Sequence, residues 1–295
     1  MHISQVNIRD PYVLKTGKTY YLYGTRSRTC WEKSDGFDCY KSSDLKEWTG
    51  PVEIFQRPEG FWADRKFWAP ECYEHDGRFY LVTTFGSESL PSGIQILVSD
   101  SPEGPFELWS DGPVTPTDWN CIDGTIYWEE DTPWLLFSHA FEDDPRGFIC
   151  AMALTADLKA AAGKPQPLIS ADNAPWAVPF PYAKEEFGLD GDIYFTDGPS
   201  IYPMKDHSLR LLWSSWSREG YAVGIARSQS GSIKGPWVHE TVPLFKKDGG
   251  HGMWFTYGEK KLYTLHSPNT RFEEHPVFYE LLEQGDTLVL GTMEE

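Results

Sequence analysis

The sequence predicts an all-β fold, a five-bladed β-propeller, and three observations support this prediction. A motif recurs five times along the 295 residues: a turn-like opening leads into a short apolar run, and a polar turn separates that run from an aromatic-rich one. Two weaker strand-like runs follow each copy, so each unit contains four short strands, as a propeller blade does. No stretch longer than one turn, near residues 157–162, has the 3.6-residue period of a helix.

The five copies, taken in chain order, define the predicted blades. They open with Arg9-Asp10-Pro11-Tyr12, Trp68-Ala69-Pro70-Glu71, Ile122-Asp123-Gly124, Asp197-Gly198-Pro199 and Gly250-His251-Gly252-Met253. The aromatic-rich second runs follow at residues 20–25, 79–83, 134–138, 209–215 and 262–266. The longest interval contains residues 163–192, rich in proline and acidic residues, which we interpret as a loop insertion. A β-sandwich would not require five matched units, and no change of composition divides the chain, so residues 1–295 are expected to form one catalytic propeller domain.

Composition excludes several classes of function. Aromatic residues make up 15% of the chain, which suits short strands and a site that stacks flat ligands such as sugar rings. The formal net charge of -18 disfavours nucleic acid and anionic membrane surfaces, because phosphate groups are bound by clustered Lys and Arg. No apolar run approaches the ~18 residues of a membrane span. The chain begins without the basic and apolar regions of a signal peptide, and its five cysteines form no C-x-x-C pair, so we expect reduced thiols and a cytoplasmic location.

The repeat is expected to bring three carboxyl groups together. The first strand of each blade lines the central channel, so matched opening positions lie at one height around the axis. Asp10, Ala69, Asp123, Asp197 and His251 are taken as those matched positions. Asp-Pro and Asp-Gly are ordinary turn dipeptides, which is the alternative for any single one of the aspartates. Three acids at matched positions instead indicate general acid–base chemistry, because converging carboxyl groups raise each other's pKa without helping the fold.

In this order and spacing, the five opening segments resemble glycoside hydrolase family 43 over about residues 6–268. The resemblance implies a five-bladed, inverting glycosidase; the family includes α-L-arabinofuranosidases, β-xylosidases and endo-arabinanases. It also implies that Asp10 is the general base, that Asp123 orients the general acid and tunes its pKa, and that Asp197 is the acid. The family normally has Glu at this last position. Glu185, Glu186 and Glu219 are therefore kept as alternative acids supplied by a loop.

The resemblance also implies a role for His251, beside a Ca²⁺ ion or a water cluster in the channel. Calcium prefers oxygen ligands, so an imidazole would be an unusual partner for it. A histidine that is hydrogen-bonded to the catalytic acids is the alternative, and both remain open.

Four residues are candidates for contacts with the substrate. Trp68 and Phe85 flank the inner strand of the second predicted blade, Trp31 lies in a predicted loop, and Arg271 follows the last inner hairpin. Core packing is the ordinary role of an aromatic residue in a chain this rich in them, and an exposed position is ordinary for arginine.

The function expected from the sequence is exo-acting, inverting hydrolysis that releases a pentose, arabinose or xylose, from small plant-type oligosaccharides. Two alternatives stay open. A sugar-binding propeller without catalysis would account for Asp at position 197. A fructan- or sucrose-type hydrolase would retain the anomeric configuration, which requires carboxyl groups ~5–5.5 Å apart rather than ~6.5–9.5 Å.

Overall fold

Five four-stranded antiparallel sheets make up the computed structural model, which describes residues 1–294. In chain order the blades consist of β1 (Ile8–Thr16), β2 (Thr19–Arg26), β3 (Gly36–Ser42) and β4 (Thr49–Gln56); β5 (Arg65–His75), β6 (Arg78–Gly86), β7 (Gly93–Ser99) and β8 (Glu107–Leu108); β9 (Cys121–Glu129), β10 (Thr132–His139), β11 (Phe148–Ala153) and β12 (Gln166–Ser170); β13 (Asp197–Pro203), β14 (Leu209–Ser217), β15 (Gly220–Ser228) and β16 (Trp237–His239); β17 (Gly250–Tyr257), β18 (Lys260–Ser267), β19 (His275–Gln284) and β20 (Thr287–Glu294). The predicted all-β, five-bladed propeller is confirmed.

Helical structure is confined to short pieces. Three 3₁₀ turns span Ile3–Gln5, Ser27–Thr29 and Ala171–Asn173, and one short helix, α1, spans Ala183–Phe187. Residues 157–162 form turns and bends rather than helix. No helix in the described part of the chain is long and apolar enough to cross a membrane. The interpretation of residues 163–192 as one loop insertion is corrected, because its first part forms β12, the outer strand of blade 3, and the long connection is residues 171–196.

The inner strands β1, β5, β9, β13 and β17 pack side by side, and β17 contacts β1 to close the ring. Each blade uses consecutive strands, so among residues 1–294 no strand is exchanged between the first and last blades. The core divides into clusters between neighbouring blades. Phe37, Phe55, Phe67 and Phe85, for example, fill the space between blades 1 and 2. Packing between blades therefore holds the five inner strands around one axis.

Every inner strand has a β-bulge near its start, at which two residues face one residue of the second strand. The first bulge residue is in the left-handed region, with φ between 46° and 60°; these residues are Asp10, Ala69, Asp123, Gly198 and His251. Such a conformation costs a non-glycine residue about 1–3 kcal/mol and is found where it serves a site. The bulges thus carry two of the predicted catalytic aspartates and His251 at equivalent positions of the ring.

Candidate active site

A cavity of about 460 Å³ lies at the bulged ends of the inner strands. Residues from all five blades line it, and the predicted catalytic residues Asp10, Asp123 and Asp197 are among them. Because the three aspartates belong to blades 1, 3 and 4, the fold brings together residues that are far apart in the sequence. The prediction that these carboxyl groups converge at one end of the channel is confirmed.

Asp10 is held in the charged form. Its Oδ2 atom accepts a hydrogen bond from Thr25 Oγ1 at 2.5 Å, and His251 Nδ1 lies 3.2 Å from its Oδ1 atom. Burial alone would raise the pKa of Asp10, but His251, Arg9 and the Thr25 hydrogen bond outweigh burial and hold that pKa below its ordinary value. A buried carboxylate that stays ionised can accept a proton from water, which is the property a general base needs.

Asp197 is in a different register from the one expected. It pairs with Ser214 as Arg9 pairs with Thr25, so it lies one residue before the bulge and Gly198 occupies the position equivalent to Asp10. The assignment of Asp197 as an equivalent of Asp10 and Asp123 is therefore wrong by one residue. The reason is that a bulge shifts the pairing by one residue, and the spacing of turn dipeptides does not reveal where it begins.

The surroundings of Asp197 favour its protonated form. The hydroxyl of Tyr221 donates a hydrogen bond to Oδ2 at 2.9 Å. Burial raises the pKa of Asp197 to about 7, with a further contribution from the negative charge of Asp10, and the Tyr221 hydrogen bond opposes this rise. A carboxyl group with a pKa near neutrality can carry a proton at neutral pH and release it during a reaction, as a general acid must.

Asp123 lies between these two groups. Its Oδ2 atom accepts a hydrogen bond from the backbone N–H of Gly198 at 3.2 Å, next to Asp197, and lies 3.6 Å from His251 Nδ1. Burial raises the pKa of Asp123, as do the charges of Asp197 and Asp10. Ionisation of Asp197 therefore favours the proton on Asp123.

The structure separates the alternative acids. Glu186 of α1 lines the cavity. Glu185 is exposed on α1 and is not among the lining residues, and Glu219 is in an exposed turn paired with Lys246 at 2.7 Å. Neither therefore lines the cavity that contains Asp10 and Asp197.

Sequence reasoning missed two polar residues of the site. Glu142 lines the cavity and contributes to the raised pKa of Asp197. Tyr221 is supplied by β15, the third strand of its blade, and the repeat motif gave no signal for it. Arg9 also lines the cavity. Its position beside Asp10 in the first opening segment is the one sequence signal that could have identified it as a site residue.

The predicted substrate contacts are only partly confirmed as lining residues. Trp31, Trp68 and Arg271 line the cavity, and Trp31 is 46% exposed. Phe85, however, has no exposed surface and packs edge-on against Phe67, with ring centroids 4.8 Å apart. The expectation that Phe85 stacks on a sugar is therefore wrong, because its side chain belongs to the core between blades 1 and 2.

His251 fits the hydrogen-bonded alternative. Its Nδ1 atom faces the carboxyl groups of Asp10 and Asp123. Among residues 1–294 no group of three or more His, Cys, Asp or Glu side chains could hold a metal ion. The donor set therefore does not form a cage of the oxygen ligands that Ca²⁺ prefers. The calcium ion stays a prediction.

Comparisons with known proteins agree with this geometry. The model of the glycosyl hydrolases family 43 matches residues 2–277. An endo-arabinase structure from Bacteroides thetaiotaomicron is 35% identical, with a TM-score of 0.87 over 97% of this chain and 98% of that one. An extracellular endo-α-(1→5)-L-arabinanase from Thermotoga petrophila is 29% identical over 76% of this chain and 49% of its own length.

An extracellular exo-α-(1→5)-L-arabinofuranosidase from Cellvibrio japonicus is 30% identical over 41% of this chain and 37% of its own length. The chain thus spans less than half the length of these two named relatives. The family match, in contrast, extends over nearly the whole sequence, from the first blade into β19. The chain belongs to glycosyl hydrolase family 43.

Proposed function

We propose that this protein is an exo-acting, inverting glycoside hydrolase that releases a terminal pentose, α-L-arabinofuranose in the first place, from small oligosaccharides. The observation that supports exo action is a series of residues lining the cavity, here called its rim, in which each member contacts the next or is its neighbour in the chain. A polymer can thread through a groove open at both ends, whereas a cavity walled on all sides accepts a chain end.

One half of the rim joins blades 1, 2 and 3. Trp31 contacts Trp68 with ring centroids 5.6 Å apart. Lys66 Nζ lies 5.4 Å from the centroid of the Trp68 ring and 3.3 Å from Glu142 Oε1. These contacts link lining residues from the first three blades.

The other half of the rim returns to blade 1 by way of α1. Phe141, next to Glu142, packs against Phe187 with ring centroids 4.9 Å apart. Glu186 Oε2 lies 3.7 Å from the guanidinium of Arg271, and that group lies 5.1 Å from the centroid of the Trp31 ring. The Glu186–Arg271 contact is the longest ion pair of the rim, and both side chains are largely exposed.

The roles of the carboxyl groups follow from their ionisation. Asp10, held ionised, would take a proton from the attacking water, and Asp197, held protonated, would donate one to the leaving oxygen. Asp123 would fix the backbone beside Asp197 by accepting the hydrogen bond from the Gly198 N–H, and its tuning of the pKa of Asp197 stays a prediction. Acid and base lie on blades separated by blade 5, and inversion requires ~6.5–9.5 Å between their carboxyl groups, which leaves room for a water molecule between the base and the sugar.

The relatives' names support arabinose over xylose. The Bacteroides, Thermotoga and Cellvibrio proteins are named for action on arabinan or arabinofuranosides, and a β-xylosidase from Xylanibacter ruminicola is 28% identical over 38% of this chain. Those names divide between endo and exo action, so an endo-arabinanase is the second candidate. The family match gives no support to the fructan-type alternative. The cytoplasmic location stays a prediction, and the Thermotoga and Cellvibrio relatives are named as extracellular proteins.

The product profile tests the proposal. From α-1,5-linked arabinohexaose the wild type should release only monosaccharide from the first time points, with inverted anomeric configuration by NMR. Arg271→Ala, which opens the rim, should add longer products, whereas Arg227→Ala, which breaks an exposed pair with Asp286 at 3.0 Å outside the cavity, should not. Early release of di- and trisaccharides by the wild type would establish the endo-acting candidate. Activity on aryl xylosides alone would overturn the choice of arabinose.

A further inference from the structure

The connection between β12 and β13, residues 171–196, brings an aromatic cluster to the cavity on the side of Asp197. Phe180 and Phe195 stack with ring centroids 4.5 Å apart, and Phe180 packs against Trp216 of β14 at 5.2 Å. Phe195 also stacks on Phe141 at 4.7 Å. The rings of Phe180 and Phe195 therefore pack on other side chains of the protein, which holds this segment against the propeller.

Two further rings of this segment remain open to solvent. Tyr182 is 49% exposed and Phe187 is 44% exposed, and both line the cavity. They stand at the two ends of α1, with Tyr182 as its N-terminal flanking residue and Phe187 as its last residue. Tyr182 meets Trp216 edge-on at 5.9 Å, so its ring is anchored but not covered. Exposed apolar surface beside a binding cavity marks a contact surface for a ligand.

The position of these rings relative to Asp197 indicates which part of the ligand they would meet. Trp216 packs against Tyr221 with ring centroids 6.0 Å apart, and the Tyr221 hydroxyl binds Asp197. In an inverting reaction the acid contacts the oxygen that leaves, while the base and its water lie on the opposite face of the sugar. The group attached to the leaving oxygen therefore lies on the aromatic side of the cavity.

We infer that Tyr182 and Phe187 form the subsite for the leaving-group sugar, a neutral ring that stacks its apolar face on them. This inference rests on the proposed hydrolysis. A sugar ring suits the surface because stacking on aromatic side chains needs no charge on the ligand. Helix α1 then has two uses: Glu186 closes the rim with Arg271, and the residues at its ends bind the part of the substrate that departs.

The experiment compares two substrates with the same glycone, α-1,5-arabinobiose and methyl α-L-arabinofuranoside. Both need a proton from the acid, but only the disaccharide has a second ring. Tyr182→Ala and Phe187→Ala are the test variants, and Asp197→Ala is the reference for loss of the acid. Leu189→Ala, in the same segment, 39% exposed and not a lining residue, is the matched control.

In Tyr182→Ala and Phe187→Ala, kcat/KM on the disaccharide should fall roughly 3- to 10-fold further than on the methyl glycoside, the scale of one aromatic stacking contact. Asp197→Ala should lower kcat/KM on both substrates alike, and Leu189→Ala should have the kcat/KM values of the wild type. Equal falls on the two substrates, or no fall, would overturn the subsite.

Failure of the proposed function has a different signature. Wild-type enzyme that cleaves xylobiose and methyl β-xyloside, and neither arabinoside, would overturn arabinose as the glycone. The same ratio measured on the xylosides would then decide whether Tyr182 and Phe187 bind the leaving group.

Discussion

Two chemically identical side chains acquire opposite protonation preferences in this site. Asp10 and Asp197 are both aspartates near one cavity, yet the pKa of Asp10 is lowered and that of Asp197 is raised to about 7. Burial favours a higher pKa for both groups. At Asp10 the neighbours His251 and Arg9 outweigh burial, whereas at Asp197 burial prevails. Separation of the two pKa values is what assigns base and acid roles to a pair of carboxyl groups.

Tyr221→Phe tests this assignment by pH dependence. Activity requires protonated Asp197, so kcat/KM falls as the pH rises through the pKa of Asp197, near 7 in the wild type. The Tyr221 hydroxyl donates to Oδ2 of Asp197 and so stabilises its charged form, which lowers that pKa. Without the hydroxyl the pKa rises, and the alkaline limb of the kcat/KM profile should move to higher pH.

Tyr202→Phe is the matched control for this measurement. Its hydroxyl likewise donates to a carboxylate, Glu283 at 2.8 Å, but not in the cavity, so the variant should keep the wild-type profile. An alkaline limb that stays in place in Tyr221→Phe would exclude Asp197 as the group that sets it.

At the scale of the secondary-structure element, the β-bulge gives each inner strand its role in the site. Each bulge puts its first residue in the left-handed region at the cavity end of an inner strand. In four blades the N–H of that residue donates to a side chain of a second strand in the adjacent blade, as Asp123 N–H does to Thr84 Oγ1. In blade 4 the N–H of Gly198 donates to Asp123 instead, which ties the acid's strand to the group that tunes it.

Gly198→Ala should therefore lower the free energy of unfolding by more than backbone strain alone would. Its φ is +51°, and an added Cβ would lie 2.5 Å from Cδ2 of His251, which contacts Asp10. Gly258→Ala has the same conformational penalty, about 1–2 kcal/mol, at φ +59° in open space. Urea unfolding should show a larger loss of stability for Gly198→Ala, and kcat/KM should fall tenfold or more in that variant alone. Equal stability losses with full activity in both would refute the role of this close contact.

At the scale of the whole molecule, the ring is closed without an exchanged strand, so side chains must hold blade 5 to blade 1. Glu274 is 1% exposed; its carboxylate accepts hydrogen bonds from Arg9 Nη1 at 2.7 Å and Ser27 Oγ at 2.8 Å. Its backbone carbonyl accepts a further bond from Asn7 Nδ2 at 2.8 Å. Arg9 also donates to Asn269 Oδ1 at 2.9 Å, so the same junction fixes an arginine that lines the cavity.

Removal of Glu274 should destabilise the entire propeller. Glu274→Ala removes the carboxylate that pairs with the Arg9 guanidinium, which keeps the nearby charge of Asp10, and breaking one side of a buried pair costs about 3–5 kcal/mol. Glu219→Ala removes an exposed partner of Lys246 and should cost less than about 1 kcal/mol. Chemical denaturation of both variants gives the comparison. A Glu274→Ala protein as stable as Glu219→Ala would show that apolar packing between blades 5 and 1 is sufficient for closure.

The sequence by itself determined the five blades, the all-β class and the convergence of Asp10, Asp123 and Asp197. Each follows from a local pattern, because alternating short strands and turn residues specify a blade within about 50 to 75 residues. The repetition of that pattern then fixes the ring. Local sequence also identified Trp31, Trp68 and Arg271, which do line the cavity.

Tertiary structure alone decided the rest. The position of Asp197 one residue before its bulge depends on hydrogen bonds between strands, and the burial of Phe85 depends on the rings of blade 1 packed against it. The contacts of Trp31 with Trp68 and of Glu186 with Arg271 join lining residues from distant parts of the chain. A local pattern constrains only neighbours along the chain, whereas register, burial and closure are set by contacts between segments that fold together from distant parts of it.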